Sequence, residues 1–362
     1  MPLANDSYRG LTSLADDGDL LNLAWTVDER EFLAVDLAAL LTGELADEIA
    51  TGLPTIGSYL VQDPYGEAFL GPTVAALNPT AAGRLHVTAA AGVIPLLHAL
   101  AGLAGRESAY ILGDVYPDLP HWVRMAGGRC VSRFDFATAD HVRNIVRGGA
   151  RLVLLDRPAL AGVSMAHDEL RELCSRLPEQ VTVVVDEAYA NYLPPEDSVV
   201  PLVDEVPNLV VVRSVSKGYG MGGLRVGFAV SSPEVTPRLR ELLPPMLPSS
   251  LSLRLARAIL AAGDVFGPLR SRVAQARSET LAVFDDAGVH GARPAARHVP
   301  FLFFADEDDP GPVRLRSLGI LGKRHTYWSE RQRSTAYRYR LSVPLRSDRM
   351  ALLRAKLGGL TA

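Results

Sequence analysis

The sequence predicts an α/β fold: a large domain whose mostly parallel sheet is sandwiched by helices, joined to a smaller α+β domain. Three observations carry this. From about residue 85 to residue 214, short Val/Leu/Ile runs alternate with helical stretches, the rhythm of βαβ units with both sheet faces covered. After about Pro237 that rhythm gives way to longer helices and then to VPFLFFA and YRYRLSV, with Pro and charged residues between them. Finally, 362 residues, 48% of them apolar, are enough to bury a large core and a smaller companion.

The elements follow in order. Apolar positions recur at helical spacing from about Glu31 to Ala50, and Gly52 and Pro54 end the segment, so an amphipathic helix is expected there. LHVTA reads as a strand, Gly92 to Leu103 as a helix, YILGDV and RLVLLD as strands, DELRELCSRL as a helix, and VTVVVD and NLVVVRS as buried strands. With no internal repeat or low-complexity linker, the order of elements sets the expected boundaries. Residues 1–45 join the smaller domain, 46–237 form the large one, and 238–362 form the small C-terminal domain.

Composition narrows the function. A formal net charge of −4 with interspersed signs offers no positive stripe for a nucleic-acid backbone. Cys130 and Cys174 are the only cysteines, and neither CxxC nor HExxH occurs, so neither a disulfide framework nor a metal site is expected, and a cytoplasmic location is. The opening MPLANDSYRG lacks a basic segment leading into an apolar one, and no apolar run is long enough to span a bilayer.

In an open α/β sheet, ligands sit at the carboxyl ends of the strands. Two such ends stand out. VTVVVDEAYANY runs a buried strand into Asp186, Glu187 and Tyr189; NLVVVRSVSKGYGMGGLRVGF runs another into Ser214, Ser216 and Lys217, a glycine-rich turn and Arg225. Together these meet the needs of a pyridoxal phosphate. A carboxylate, Asp186, keeps the ring nitrogen protonated, and an amine, Lys217, forms a Schiff base and shuttles a proton. Ser214, Ser216 and Arg225 supply hydroxyl and guanidinium donors to the phosphate, and Tyr189 can donate to the ring phenolate oxygen. Gly218, Gly220 and Gly223 also spell GxGxxG, a dinucleotide fingerprint. The strand-like LRVGFAV that follows argues against that reading, because the fingerprint needs a helix there. No GxSxG elbow is present for a serine hydrolase, and the short N-terminal segment is too small for a DNA-reading domain.

This combination resembles the fold-type-I pyridoxal-phosphate enzymes of the class I/II aminotransferase family, nearest the histidinol-phosphate aminotransferase group. In that group a strand ending in Asp-x-Ala/Glu-Tyr precedes a Ser/Thr-x-Ser-Lys turn with an arginine eight residues past the lysine, the places held by Asp186, Tyr189, Ser214, Ser216, Lys217 and Arg225. The resemblance implies more along the chain. HVTAAAGVIPLLHAL would offer Ala90, Ala91 and Gly92 to the phosphate at a helix amino end. Tyr116 in YILGDVYPDLPHW would stack on the cofactor face, and Arg340 in YRYRLSV would grip the substrate α-carboxylate. Tyr59 or Tyr65 would reach a neighbouring subunit's phosphate, with Tyr65 placed among the cofactor contacts. The resemblance therefore also implies a homodimer with shared active sites and an amino acid or close amine as substrate.

One departure stands out. The family's Asn-Pro-x-Gly is replaced by DRPALAG, which puts Ala159 where the asparagine bonds the ring oxygen and leaves Tyr189, Asp156 or Arg157 to compensate. Transamination is the expected reaction; the alternative is a specialised biosynthetic reaction on the same fold, namely decarboxylation, elimination or replacement, or cyclisation.

Overall fold

The structure is a computed structural model that describes residues 20–80, 83, 85–113, 115–133, 141–159, 164–295, 298–329 and 334–358. The opening segment read for targeting signals and the end of the DRPALAG stretch lie outside the described residues.

In chain order the strands are β1 (Leu21–Asn22), β2 (His86–Ala90), β3 (Ser108–Leu112), β4 (Arg129–Arg133), β5 (Ala150–Asp156), β6 (Thr182–Asp186), β7 (Leu209–Ser214) and β8 (Gly227–Ser231). They continue with β9 (Arg293–Pro294), β10 (Phe301–Phe304), β11 (Ile320–Leu321), β12 (Lys323–Ser329) and β13 (Ser334–Ser342). A seven-stranded sheet has the order β2-β8-β7-β6-β5-β3-β4, with β8 antiparallel to both neighbours and the other pairs parallel. The expected α/β class is what the chain adopts. A four-stranded antiparallel sheet, β12-β13-β10-β9, and the short parallel pair β1-β11 complete the strands.

The valine runs are continuous because both faces of the large sheet are covered. Val184, Val210, Val212 and Ala229 face Leu96, Leu97 and Leu100 of the helix Val93–Gly102, together with Trp122. Val183, Val185, Val211 and Val230 face the other way, into the cluster that holds Leu170 and Leu173 of the helix His167–Arg176. Each such fully buried valine contributes roughly 1.5–3 kcal/mol of transfer free energy.

The N-terminal helix begins later than expected. A 3-10 turn occupies Glu29–Phe32, and the helix proper runs Leu37–Ala50 because Asp36 caps it, its carboxylate accepting from Ala39 N at 3.0 Å. That helix is clamped to Ser250–Ala261 by the buried Arg254, which pairs with Glu44, Asp47 and Glu48. The segment ahead of it is held from the far end of the chain. Ser342 N donates to Leu23 O at 2.7 Å, and Ser342 Oγ lies 3.0 Å from Leu23 O and from Trp25 O.

Gly227, at the start of β8, lies directly under the entrance to the helix Val93–Gly102. A Cβ there would sit 2.5 Å from Gly92 C and 2.6 Å from Val93 N, and backbone cannot swing aside as a flexible side chain can. Gly227→Ala is therefore expected to cost on the order of 2 kcal/mol. Thermal unfolding checks this; an unshifted midpoint would contradict the close approach.

Candidate active site

The parallel register of β5, β6 and β7 places their carboxyl ends side by side: Asp156 is paired with Asp186, Asp186 with Val212, and Ser214 with Gly227 of β8. A cavity of about 190 Å³ opens at this edge. Tyr116, Asp186, Tyr189, Ser214, Ser216, Lys217, Arg225 and Arg340 all line it, so eight of the residues singled out in the sequence meet in one place.

Asp186 forms one wall. Its Oδ1 accepts from Ala188 N at 2.8 Å. Burial pushes its carboxyl up to about 6, opposed by that N–H and reinforced by the charge of neighbouring Glu187. Lys217 Nζ stands 5.8 Å from the centroid of the Tyr189 ring, which itself is held by Tyr192 at 6.2 Å and edge-on by Phe301 at 5.5 Å. Tyr116 is stacked on Trp122 at 5.5 Å, which fixes the ring as a flat wall of the cavity.

Arg225 is locked in place at the opposite end. It adopts a left-handed backbone, φ 54°, unusual for a residue with a side chain and a cost of about 1 kcal/mol or more. Its guanidinium donates to Gly222 O and to Ala91 O, both at 3.0 Å. Gly92 has φ +91°, and a Cβ on it would lie 2.4 Å from Arg225 Nη2, so only glycine allows this approach. Ala90, Ala91 and Gly92 do not line the cavity themselves; Ala91 O accepts from Arg225, and Gly92 directly precedes Val93, both of which do line it. Ser214 Oγ accepts from Ser216 N at 3.2 Å, which orders the turn.

Arg340 is 6% exposed, with its guanidinium carbon 4.3 Å from the Phe301 ring centroid. Its Nη2 reaches Ala24 O at 3.5 Å, whereas Nε has no hydrogen-bond partner among the described residues. A buried cationic donor facing a cavity without an acceptor calls for an anionic ligand.

The structure does not bring Tyr65 into the cavity. Its hydroxyl donates to Arg240 O at 2.9 Å and its ring lies under the Arg240 guanidinium at 5.0 Å. Tyr59, the other candidate, is 88% exposed. Ala159 is buried outside the cavity, with its N–H donated to Ser164 Oγ at 2.9 Å. Arg157 turns away, donating to Asp197 O and Met165 O, while Asp156 lines the cavity.

Sequence reasoning did not single out Trp25, Lys323 or His325, which also line the cavity. Lys323 is paired with Arg340 across β12 and β13, and His325 lies two residues on, so strand alternation was the available signal. Trp25 carried no local signal; the backbone bonds to Ser342 place it.

The residues present fit pyridoxal phosphate: a buried carboxylate, a lysine, hydroxyl and guanidinium donors, and an aromatic wall. Asp186 also sets a pH dependence. Its folded-state pKa lies above the unfolded value, so it costs nothing below about pH 4 and its full penalty is present above about pH 6. In ligand-free protein, Asp186→Asn is expected to raise stability at pH 8 by on the order of 3 kcal/mol and to leave it unchanged at pH 4. Thermal unfolding at the two pH values reads this; equal effects at both would contradict it.

The family model described as aminotransferase class I and II matches residues 81–314. An aromatic amino acid aminotransferase of Cutibacterium acnes is 34% identical over 65% of this chain and 67% of its own length. A histidinol-phosphate aminotransferase of Idiomarina loihiensis is 29% identical over 60% of this chain and 61% of its own. In fold, the chain is similar to the histidinol-phosphate aminotransferase of Sinorhizobium meliloti, solved in complex with pyridoxal-5'-phosphate, with a TM-score of 0.71 at 20% identity, covering 94% of this chain and 91% of that one. With a match of that extent to the family model, the chain belongs to the class I and II aminotransferases.

Proposed function

We propose that this protein is a pyridoxal-phosphate-dependent aminotransferase acting on an amino acid. The observation that carries the reading is the convergence of Lys217, Asp186, Arg225 and Arg340 on one cavity, each chemically suited to a different part of a cofactor and substrate pair. Bound there, the cofactor supplies an electron sink for charge developing at the substrate α-carbon. Lys217 would hold it covalently through Nζ and, once released, take the α-proton and return it. Asp186 would meet the ring nitrogen, where a cation relieves the cost of its buried charge. Arg225, Ser214 and Ser216 would hold the phosphate, with the backbone of Ala90, Ala91 and Gly92 beside them. Tyr116 would cover the ring face and Tyr189 would donate to the ring oxygen. Arg340 would bind the substrate carboxylate, and Trp25 would help to exclude water.

The same reading keeps the expected division into residues 1–45, 46–237 and 238–362. It is supported by the large sheet lying within His86–Ser231, the smaller sheet within Arg293–Ser342, and the pairing of Leu21–Asn22 with Ile320–Leu321. A homodimer is supported by the exposed apolar surface at Ile49, Leu53, Ile56, Tyr59 and Val61. A cytoplasmic setting is supported by the free thiols of Cys130 and Cys174; among the described residues no helix is long and apolar enough to cross a membrane.

Two outcomes test the reading. Lys217→Ala is expected to abolish the visible cofactor band and the covalent coupling of cofactor to chain on borohydride reduction; persistence of both would refute the assignment. Arg340→Gln is expected to raise KM for amino-acid substrates by roughly 10–100-fold, the value of a charge-assisted contact, with cofactor affinity nearly unchanged. Steady-state kinetics of keto-acid formation from donor amino acids measures it, and an unchanged KM would remove Arg340 from the substrate site.

A further inference from the structure

We propose that Asn191 is a positioning residue for Lys217. The proposal rests on the reading of Lys217 as the amine that holds the cofactor, and concerns what holds that lysine. Asn191 lies in the 3-10 turn Ala190–Tyr192 that follows β6, and is 7% exposed. Its Nδ2 donates to Lys217 O at 2.8 Å and lies 3.4 Å from Ser214 O, so one amide group serves carbonyls at both ends of the turn that leaves β7. Its Oδ1 accepts from Arg213 Nη2 at 2.9 Å. Carbonyls only accept and guanidinium only donates, so the orientation of the amide is dictated.

The network continues to the other strand end. Arg213 Nη1 donates to Ser198 Oγ at 3.2 Å and lies 3.7 Å from Glu187 Oε2; Ser198 Oγ donates to Glu187 Oε2 at 2.7 Å, and Glu187 Oε1 accepts from Val199 N at 2.7 Å. Glu187 is buried and directly follows Asp186. Because side chains alternate along a strand, Asp186 and Ser214 line the cavity while Glu187 and Arg213 point to its rear. The rear network therefore ties the strand end that carries the carboxylate to the turn that carries the amine.

Asparagine suits this place because it presents a donor and an acceptor at once. Aspartate would set an acceptor against carbonyls, and leucine would leave buried polar groups on both sides without partners. Space is limited as well: Gly218 has φ +76°, and a Cβ on it would lie 2.8 Å from Asn191 Cβ. Behind the turn a cavity of about 130 Å³, lined in part by Asn191, Arg213 and Tyr219, leaves this side without close packing, so the bonds hold it.

The experiment compares cofactor-loaded wild type, Asn191→Leu and Asn191→Asp. Both variants are expected to keep borohydride-reducible cofactor, to shift the pH midpoint of the visible band by about half a unit or more, and to lower kcat about tenfold with KM for the amino acid within about twofold. Faster amide exchange at Gly218–Gly220 in cofactor-free protein is the expected structural companion. If midpoint, kcat and exchange stay at wild-type values while only the unfolding temperature falls, Asn191 is structural and the proposal fails. Should Asn191→Leu and Asn191→Asp not fold, Ser198→Ala, which cuts the network further from Lys217, is judged by the same readouts. Lys217→Ala run in parallel separates the two claims: a surviving band there overturns the lysine reading, whereas its loss with unmoved Asn191 variants overturns only this proposal.

Discussion

Everything at the active edge depends on the backbone hydrogen-bond register of β5, β6, β7 and β8. Parallel pairing of Asp156 with Asp186, Asp186 with Val212, and antiparallel pairing of Ser214 with Gly227 bring four chain segments to a common line. Side chains alternate with a period of two, so a slip of one residue would exchange Asp186 for Glu187 at the cavity. The fully buried valines do not by themselves oppose such a slip, because the two faces are equally apolar. What gives the register its chemical meaning is the polar pairing at the strand ends, where Glu187 and Arg213 meet on one side and Asp186 and Ser214 on the other.

The cavity is charged in a graded way. Asp186 contributes a carboxylate whose ionisation burial opposes, and Arg225 contributes a guanidinium held by two carbonyls in a strained backbone conformation. Arg340 adds a buried donor that lacks a full complement of acceptors. Each is unfavourable in isolation, and a ligand with its own cation and anions would offset the costs. Such preorganisation places the expense in folding, where the large core can bear it, rather than in binding.

The second sheet contributes through reach rather than bulk. Arg340 and Lys323 enter the cavity from β13 and β12, and Ser342 holds the backbone of Leu23 and Trp25 against them. An N-terminal segment and a C-terminal strand thus share one wall. The absence of an asparagine at Ala159 is set in the same surroundings: Arg157 is occupied by Asp197 and Met165 carbonyls, which leaves Asp156 as the polar side chain of that segment that lines the cavity.

Local pattern was sufficient for the central strands, because uninterrupted valine runs encode burial on two faces within five or six residues, and the glycines after Lys217 mark a turn that needs left-handed backbone. It was also sufficient to pick out Asp186, Tyr189, Ser214, Ser216, Lys217 and Arg225 as polar residues near strand ends, and the structure lines one cavity with them. It failed where the determining contact is remote in sequence. Tyr65 is an instance, its hydroxyl bonded to Arg240 far along the chain, whereas the start of the first helix was set by a local cap at Asp36 inside the apolar pattern. Trp25 and the rear network through Asn191 have the same remote origin as Tyr65. The sequence alone determined which side chains could do the chemistry; only tertiary folding decided which of them face one cavity, because hydrogen bonds and packing between distant segments have no period to read.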